Sequence, residues 1–206
     1  MSTRQHDHTT FAQKVRLRNR VLSWSGTAVD VLETHGGFGR VYERTWYRAT
    51  RGAVIEQEAD KVEHLARQRP SWSVYEGDSL KALRAGLFRS RAFDIVDIDP
   101  FGSSLDYMAE MFAPERARPA AWWMVVNCGL RHTLELKQAW RVNALQDLAK
   151  RHGATADYFH RYLDAVQVLM REHAAKVGQR VAWFDGYYCG HAHQMTHYAA
   201  RIEAMG

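Results

Sequence analysis

Short apolar runs alternate with segments of helical period along most of the chain. "AVDVLET" (28–34), "GAVIEQ" (52–57), "WSVYEG" (72–77), "FDIVDID" (93–99) and "AAWWMVVN" (120–127) predict five strands. Between them, "RVYERTWYRAT" (40–50), "ADKVEHLARQR" (59–69) and "LDYMAEMF" (105–112) read as helices. Strands separated by helices in this way imply parallel βαβ units. Two longer helices are expected next, the second carrying Tyr158, Phe159, Tyr162, Leu163, Val166, Leu169 and Met170 as a core stripe. The end, "RVAWFDGYYCGHAHQMTHYAARIE" (180–203), has the residues of two strands around a turn and suits an antiparallel hairpin closing the sheet. The fold class expected is therefore α/β: a doubly wound, mostly parallel Rossmann-like sheet with a C-terminal antiparallel hairpin.

No repeat, low-complexity tract or linker divides the 206 residues, and 46% of them are hydrophobic, enough for one good core. One domain over 1–206 is expected, with 1–26 a polar, basic tail and helix. That helix, "FAQKVRLRNRVLSW" (11–24), spreads Lys14, Arg16, Arg18 and Arg20 around itself and reads as a solvated cap ahead of a nucleic-acid contact. The N-terminus has no signal-peptide pattern, no apolar run is long enough to cross a bilayer, and the two cysteines lie far apart. These features predict a cytoplasmic protein without a membrane partner. The net charge of +5 suits a polyanionic partner.

Chemistry concentrates at strand ends. "VLETHGGFG" (31–39) places Glu33 at the end of the first strand and glycines in the turn after it. Counted as G-x-G-x-x-G from Gly37, the third glycine position is Tyr42, which disfavours a nicotinamide dinucleotide. Counted as acid-x-G-x-G-x-G, the slots are Glu33, His35, Gly37 and Gly39, and this resembles the first motif of class I S-adenosylmethionine-dependent methyltransferases. The resemblance implies S-adenosyl-L-methionine as cofactor, held by Glu33, His35, Gly36, Gly37 and Gly39. It further implies that Glu56 holds the ribose hydroxyls, with Asp78 and Ser79 of "EGDSL" around the adenine. The residues alone leave Glu56 open as a surface acid and Asp78 as a helix cap.

"DIVDIDPFGSS" (94–104) puts two carboxylates into an apolar strand, which is costly unless they are paired or meet a ligand. Asp97, Asp99, Pro100, Phe101, Gly102 and Ser103 resemble the fourth motif of tRNA guanine-amine dimethyltransferases. This resemblance implies methylation of an exocyclic amine on a nucleobase, in RNA ahead of DNA, with Asp99, Pro100 and Phe101 catalytic and Asp97 and Gly102 in support. A delocalised base amine is a poor nucleophile; a carboxylate that accepts its protons turns the lone pair toward the methyl group. Asp97 is equally open as a carboxylate satisfied by backbone amides, and Phe101 as core packing. The short chain keeps protein or small-molecule methylation open, and His35 in a glycine slot keeps open a non-catalytic nucleic-acid-binding protein of this fold. "CGHAHQMTH" (189–197) would place His191, His193 and His197 on one strand face, but without the spacing of a zinc site, so no metal is expected. Asn127 and Cys128 are expected near the site opening.

Overall fold

The computed structural model describes residues 10–131, 143–152 and 160–206. Helix α1 (Phe11–Ser25) comes first, then strand β1 (Asp30–Glu33) and the short α2 (Arg40–Arg44). Next come β2 (Arg51–Glu56), α3 (Ala59–Gln68), β3 (Ser73–Glu76), α4 (Ser79–Arg84), β4 (Ile95–Ile98), α5 (Leu105–Met111) and β5 (Ala121–Cys128). After α6 (Asn143–His152) and α7 (Tyr162–Lys176), the hairpin strands β6 (Gln179–Cys189) and β7 (Met195–Ala204) complete one sheet. Its order is β3-β2-β1-β4-β5-β7-β6. The β1–β2, β2–β3, β1–β4 and β4–β5 pairs are parallel, and both pairs made by β7 are antiparallel. The chain winds outward from β1 to β3, then returns to β4 on the other flank of β1. That reversal makes a crevice beyond the carboxyl ends of β1 and β4, the place where open α/β sheets take their ligands.

Both faces of the sheet are covered around β1, β2, β4 and β5, which is why these strands are mostly apolar, while the edge strand β3 is largely exposed. On one face Val31, Val54, Ile95, Trp123, Val125 and Ala199 pack with Leu17, Val21 and Leu22 of α1 and Leu65 of α3. On the other, Leu32, Ile55, Val96, Ile98, Met124 and Val126 pack with α4, α5, α6 and α7. Tyr162, Val166, Leu169 and Met170 of α7 are buried as the stripe predicts, while Tyr158 and Phe159 lie outside the described residues.

Three sequence expectations need correction. The helix expected over 40–50 stops at Arg44, and a separate 3₁₀ turn covers Trp46–Arg48, because Trp46 turns inward to be fully buried. The N-terminal helix is not merely a solvated cap: Leu17, Arg18, Val21 and Leu22 are all buried on its inner side. His191 and His193 lie on an exposed 3₁₀ turn, whereas His197 is fully buried on β7, so the three share no strand face.

Candidate functional site at the carboxyl ends of the strands

Strand alternation aims Glu33, Asp97 and Asp99 toward the face covered by α1 and α3. Helices above supply a cation for each. Glu33, 3% exposed, pairs with Arg69, which follows α3. Burial pushes the Glu33 carboxyl upward, with the Arg69 guanidinium opposing. Asp97, also 3% exposed, receives Arg18 through both oxygens, Nε at 2.7 Å and Nη2 at 2.5 Å. The Trp46 indole N–H donates to the same carboxylate at 2.7 Å. Asp97 is thus satisfied by a guanidinium and an indole, rather than by the backbone amides the sequence suggested.

Asp99 stands one step further out, just past the last residue of β4. Its side chain is 21% exposed, and Lys14 Nζ donates to Oδ2 at 2.7 Å and to Oδ1 at 3.0 Å. Asn127, at the end of β5, donates Nδ2 to Oδ1 at 2.6 Å. Burial alone would raise the Asp99 pKa, but the Lys14 and Arg18 charges and these hydrogen bonds outweigh it and hold the group far below the usual carboxylate range. Asp99 is a carboxylate at any working pH. Pro100 is buried and Phe101 swings out to 90% exposure, which rules out core packing for the ring. Gly102, at φ +114°, accepts the Gly129 N–H at 3.2 Å and so ties this turn to the end of β5.

The first turn is anchored on both sides. The Thr34 N–H donates to the Asp97 carbonyl at 3.0 Å, and the Gly36 N–H to the Ile55 carbonyl at 3.2 Å. A Cβ on Gly36 would stand 2.5 Å from Leu65 and 2.6 Å from Val54, so any larger residue here would have to displace these two core side chains. Gly39 opens α2 in the left-handed conformation, φ +71°. His35 takes its glycine slot by bonding on both nitrogens: Nδ1 meets Thr34 Oγ1 at 2.9 Å and Nε2 meets the Tyr107 hydroxyl at 3.1 Å. Burial lowers its pKa against four carboxylates, Asp99, Glu56, Asp97 and Asp78, so a neutral imidazole stands among all four.

Glu56, 8% exposed, accepts the Gly37 N–H at 2.8 Å and, through its other oxygen, those of Gln57 (2.8 Å) and Glu58 (3.1 Å). Asp78 is exposed and caps α4 by accepting the Lys81 N–H at 2.9 Å. Ser79 Oγ donates to the Thr34 carbonyl, drawing the third strand end toward the first. These residues fit an adenosyl cofactor. Open space stands where a Cβ on Gly37 would project, and carboxylates with spare acceptor sites lie at the ends of β2 and β3.

Lys14, Arg18 and Trp46 were not among the sequence-derived site residues. A charged residue inside an apolar stripe, Arg18 between Leu17 and Val21, is the signal that could have found the first of these pairs. Asn127 Oδ1, Gln13 Oε1 and both ring nitrogens of His197 have no hydrogen-bond partner among the described residues. His197 lies opposite Asn127 in the β5–β7 register. No group of three His, Cys, Asp or Glu side chains suited to a metal occurs among the described residues. Nor is any described helix long and apolar enough to cross a membrane.

Strand order, switch-point crevice and glycine turn together define the Rossmann-like fold of S-adenosylmethionine-dependent methyltransferases. Among solved structures, the chain is similar to M. jannaschii TYW2 in complex with AdoMet, with a TM-score of 0.62 and 10% identity, covering 98% of this chain and 80% of that one. Trm1 from Pyrococcus horikoshii with S-adenosyl-L-methionine gives a TM-score of 0.64 and 13% identity over 94% of this chain, which spans only 56% of the Trm1 chain. The N-methyltransferase NodS from Bradyrhizobium japonicum WM9, in complex with S-adenosyl-L-homocysteine, gives 0.61 and 12% over 98% of this chain and 91% of that one. No protein-family model and no curated protein matches the chain.

Proposed function

We propose that the chain is an S-adenosylmethionine-dependent methyltransferase acting on the exocyclic amine of a nucleobase, in RNA ahead of DNA. The observation that carries this reading is Asp99: an ionised carboxylate at the carboxyl end of β4, partly open to solvent, with the bare Phe101 ring two residues on. When bound, the cofactor would supply an electrophilic methyl group on a sulfonium. Glu56 would accept the ribose hydroxyls, Asp78 would meet the adenine, and the Gly36–Gly39 turn would let backbone approach. Glu33 is already committed to Arg69, so it supports the turn from beneath.

Asp99 Oδ2 receives only Lys14 among the described residues, leaving one acceptor site for an amine N–H. The amine held there has its lone pair turned away from the base ring. Phe101 offers a face for the base, a contact worth ~1–3 kcal/mol in single-strand binders. Asn127 Nδ2 donates to the other Asp99 oxygen, Oδ1, at 2.6 Å and so fixes the orientation of the carboxylate. Asp99→Ala should leave cofactor affinity unchanged in calorimetry and lower methyl transfer by about 10²-fold or more. Unchanged transfer would remove Asp99 from the chemistry.

One observation favours a second reading. The group now on Asp99 is a primary ammonium, that of Lys14, so the aliphatic ammonium of a protein or small molecule also fits this carboxylate, before losing the proton that frees its lone pair. Tritium transferred from labelled cofactor into RNA, protein or small-molecule fractions separates the two.

A further inference from the structure

The positive charge of this protein sits in one place. Between Thr10 and Gly52 there are eight Lys and Arg against three Asp and Glu, the whole of the chain's formal +5, so the remainder is neutral. Folding sharpens the bias, because two of those three acids, Asp30 and Glu33, are buried in ion pairs. Six arginines, Arg16, Arg20, Arg40, Arg44, Arg48 and Arg51, are exposed, and Glu43 is the exposed acid of the segment.

Five of these arginines lie on α1, α2 and the Trp46–Arg48 turn, which pack against one another, whereas Arg51 opens β2 and pairs with Asp30. Arg48 donates to Asn19 of α1 and lies 5.8 Å over the Tyr47 ring, which is 58% exposed. Arg20 lies 4.6 Å over the Trp24 ring, 46% exposed, and pairs with Asp185 at 2.9 Å. Helix α1 carries cations on two sides. Lys14 and Arg18 point inward to Asp99 and Asp97, while Arg16 and Arg20 face solvent. The cations of α1 span ~9 Å of the helix, and the first of them, Lys14, stands on Asp99.

We infer that this face of α1, α2 and the Trp46–Arg48 turn binds the phosphate backbone of single-stranded RNA and leads an unpaired base to Asp99. The partner follows from the nucleic-acid reading above, on which this inference rests. Its chemistry is specific. The six exposed cations of the segment are all arginine, whose planar fork matches phosphate bidentately, and Tyr47 and Trp24 add ring faces for stacking.

The test is fluorescence anisotropy with a labelled single-stranded RNA across a salt series. Binding should weaken linearly in log–log form as salt rises. Arg16→Glu/Arg44→Glu should lower affinity by about tenfold or more and reduce the slope by about 1.4, two strand phosphates at ~0.7 each. Arg16→Gln/Arg44→Gln should move both in the same direction and guards against misfolding. Arg67→Glu/Arg180→Glu, the same charge change at exposed sites on α3 and β6, should change affinity less than twofold. Equal loss from both charge reversals, or none from the first, overturns the inference. So does binding to phosphatidylserine vesicles, lost in the Arg16/Arg44 variant, without binding to RNA. The assay needs neither cofactor nor turnover. RNA binding through this face without methyl transfer sinks the enzymatic reading alone, and methyl transfer to a nucleobase with the face inert sinks only this one.

Discussion

His197 is held neutral by its surroundings. Burial, then the charges of Arg18 and Lys14, bring it down to about 3, with Asp99 pulling weakly the other way and the Tyr187 ring stacked on it at 5.6 Å. The unfolded chain takes up this proton near 6.5 and the folded chain only near 3. Between those values the unfolded state binds more protons, so stability falls as pH drops. From pH 7 to pH 5 the loss from this group is about 2 kcal/mol. Urea unfolding at the two pH values should show that difference in the wild type, and His197→Gln should remove it while keeping the share from the other histidines. An identical pH dependence in the variant would contradict the assignment. Asp97 and Asp99 were legible in the sequence because a carboxylate in an apolar strand demands an explanation. Their partners were not, since Arg18 and Lys14 lie 79 and 85 residues away and only tertiary packing brings them together.

At the scale of elements, α1 is joined to the sheet by chemistry as well as by apolar contact. The pattern placed this helix to within a residue, Phe11–Ser25 against 11–24, and Gly26, at φ +75°, ends it with its N–H on the Leu22 carbonyl. What the pattern misjudged was the inner face, because an arginine counts as polar wherever it falls. Arg18→Met should cost about 3–5 kcal/mol by leaving Asp97 buried and unpaired, whereas Arg18→Met/Asp97→Leu should recover part of that loss. Denaturant titration of the three proteins checks this. A single-variant loss below ~1 kcal/mol would mean that the pair does not fasten the helix. The same misjudgement merged α2 with the Trp46–Arg48 turn: helical propensity runs on through 40–50, but Trp46 leaves the helix to fill the core and donate to Asp97.

For the whole molecule, alternating strands and helices announced the parallel sheet, and the glycine turn lies at its switch point. The insertion of β7 between β5 and β6 was not legible, since a hairpin's sequence does not say which of its strands meets the sheet. That insertion sets His197 opposite Asn127 and so completes the wall beside Asp99. The architecture draws the ends of β1, β2 and β4 together around His35, with Asp99 at the rim. Titration calorimetry with S-adenosylmethionine tests this most directly. The account predicts saturable binding that Asp99→Ala leaves intact and Glu56→Gln weakens by at least about tenfold. No heat and no thermal shift from the wild-type protein, or binding indifferent to Glu56, would contradict it.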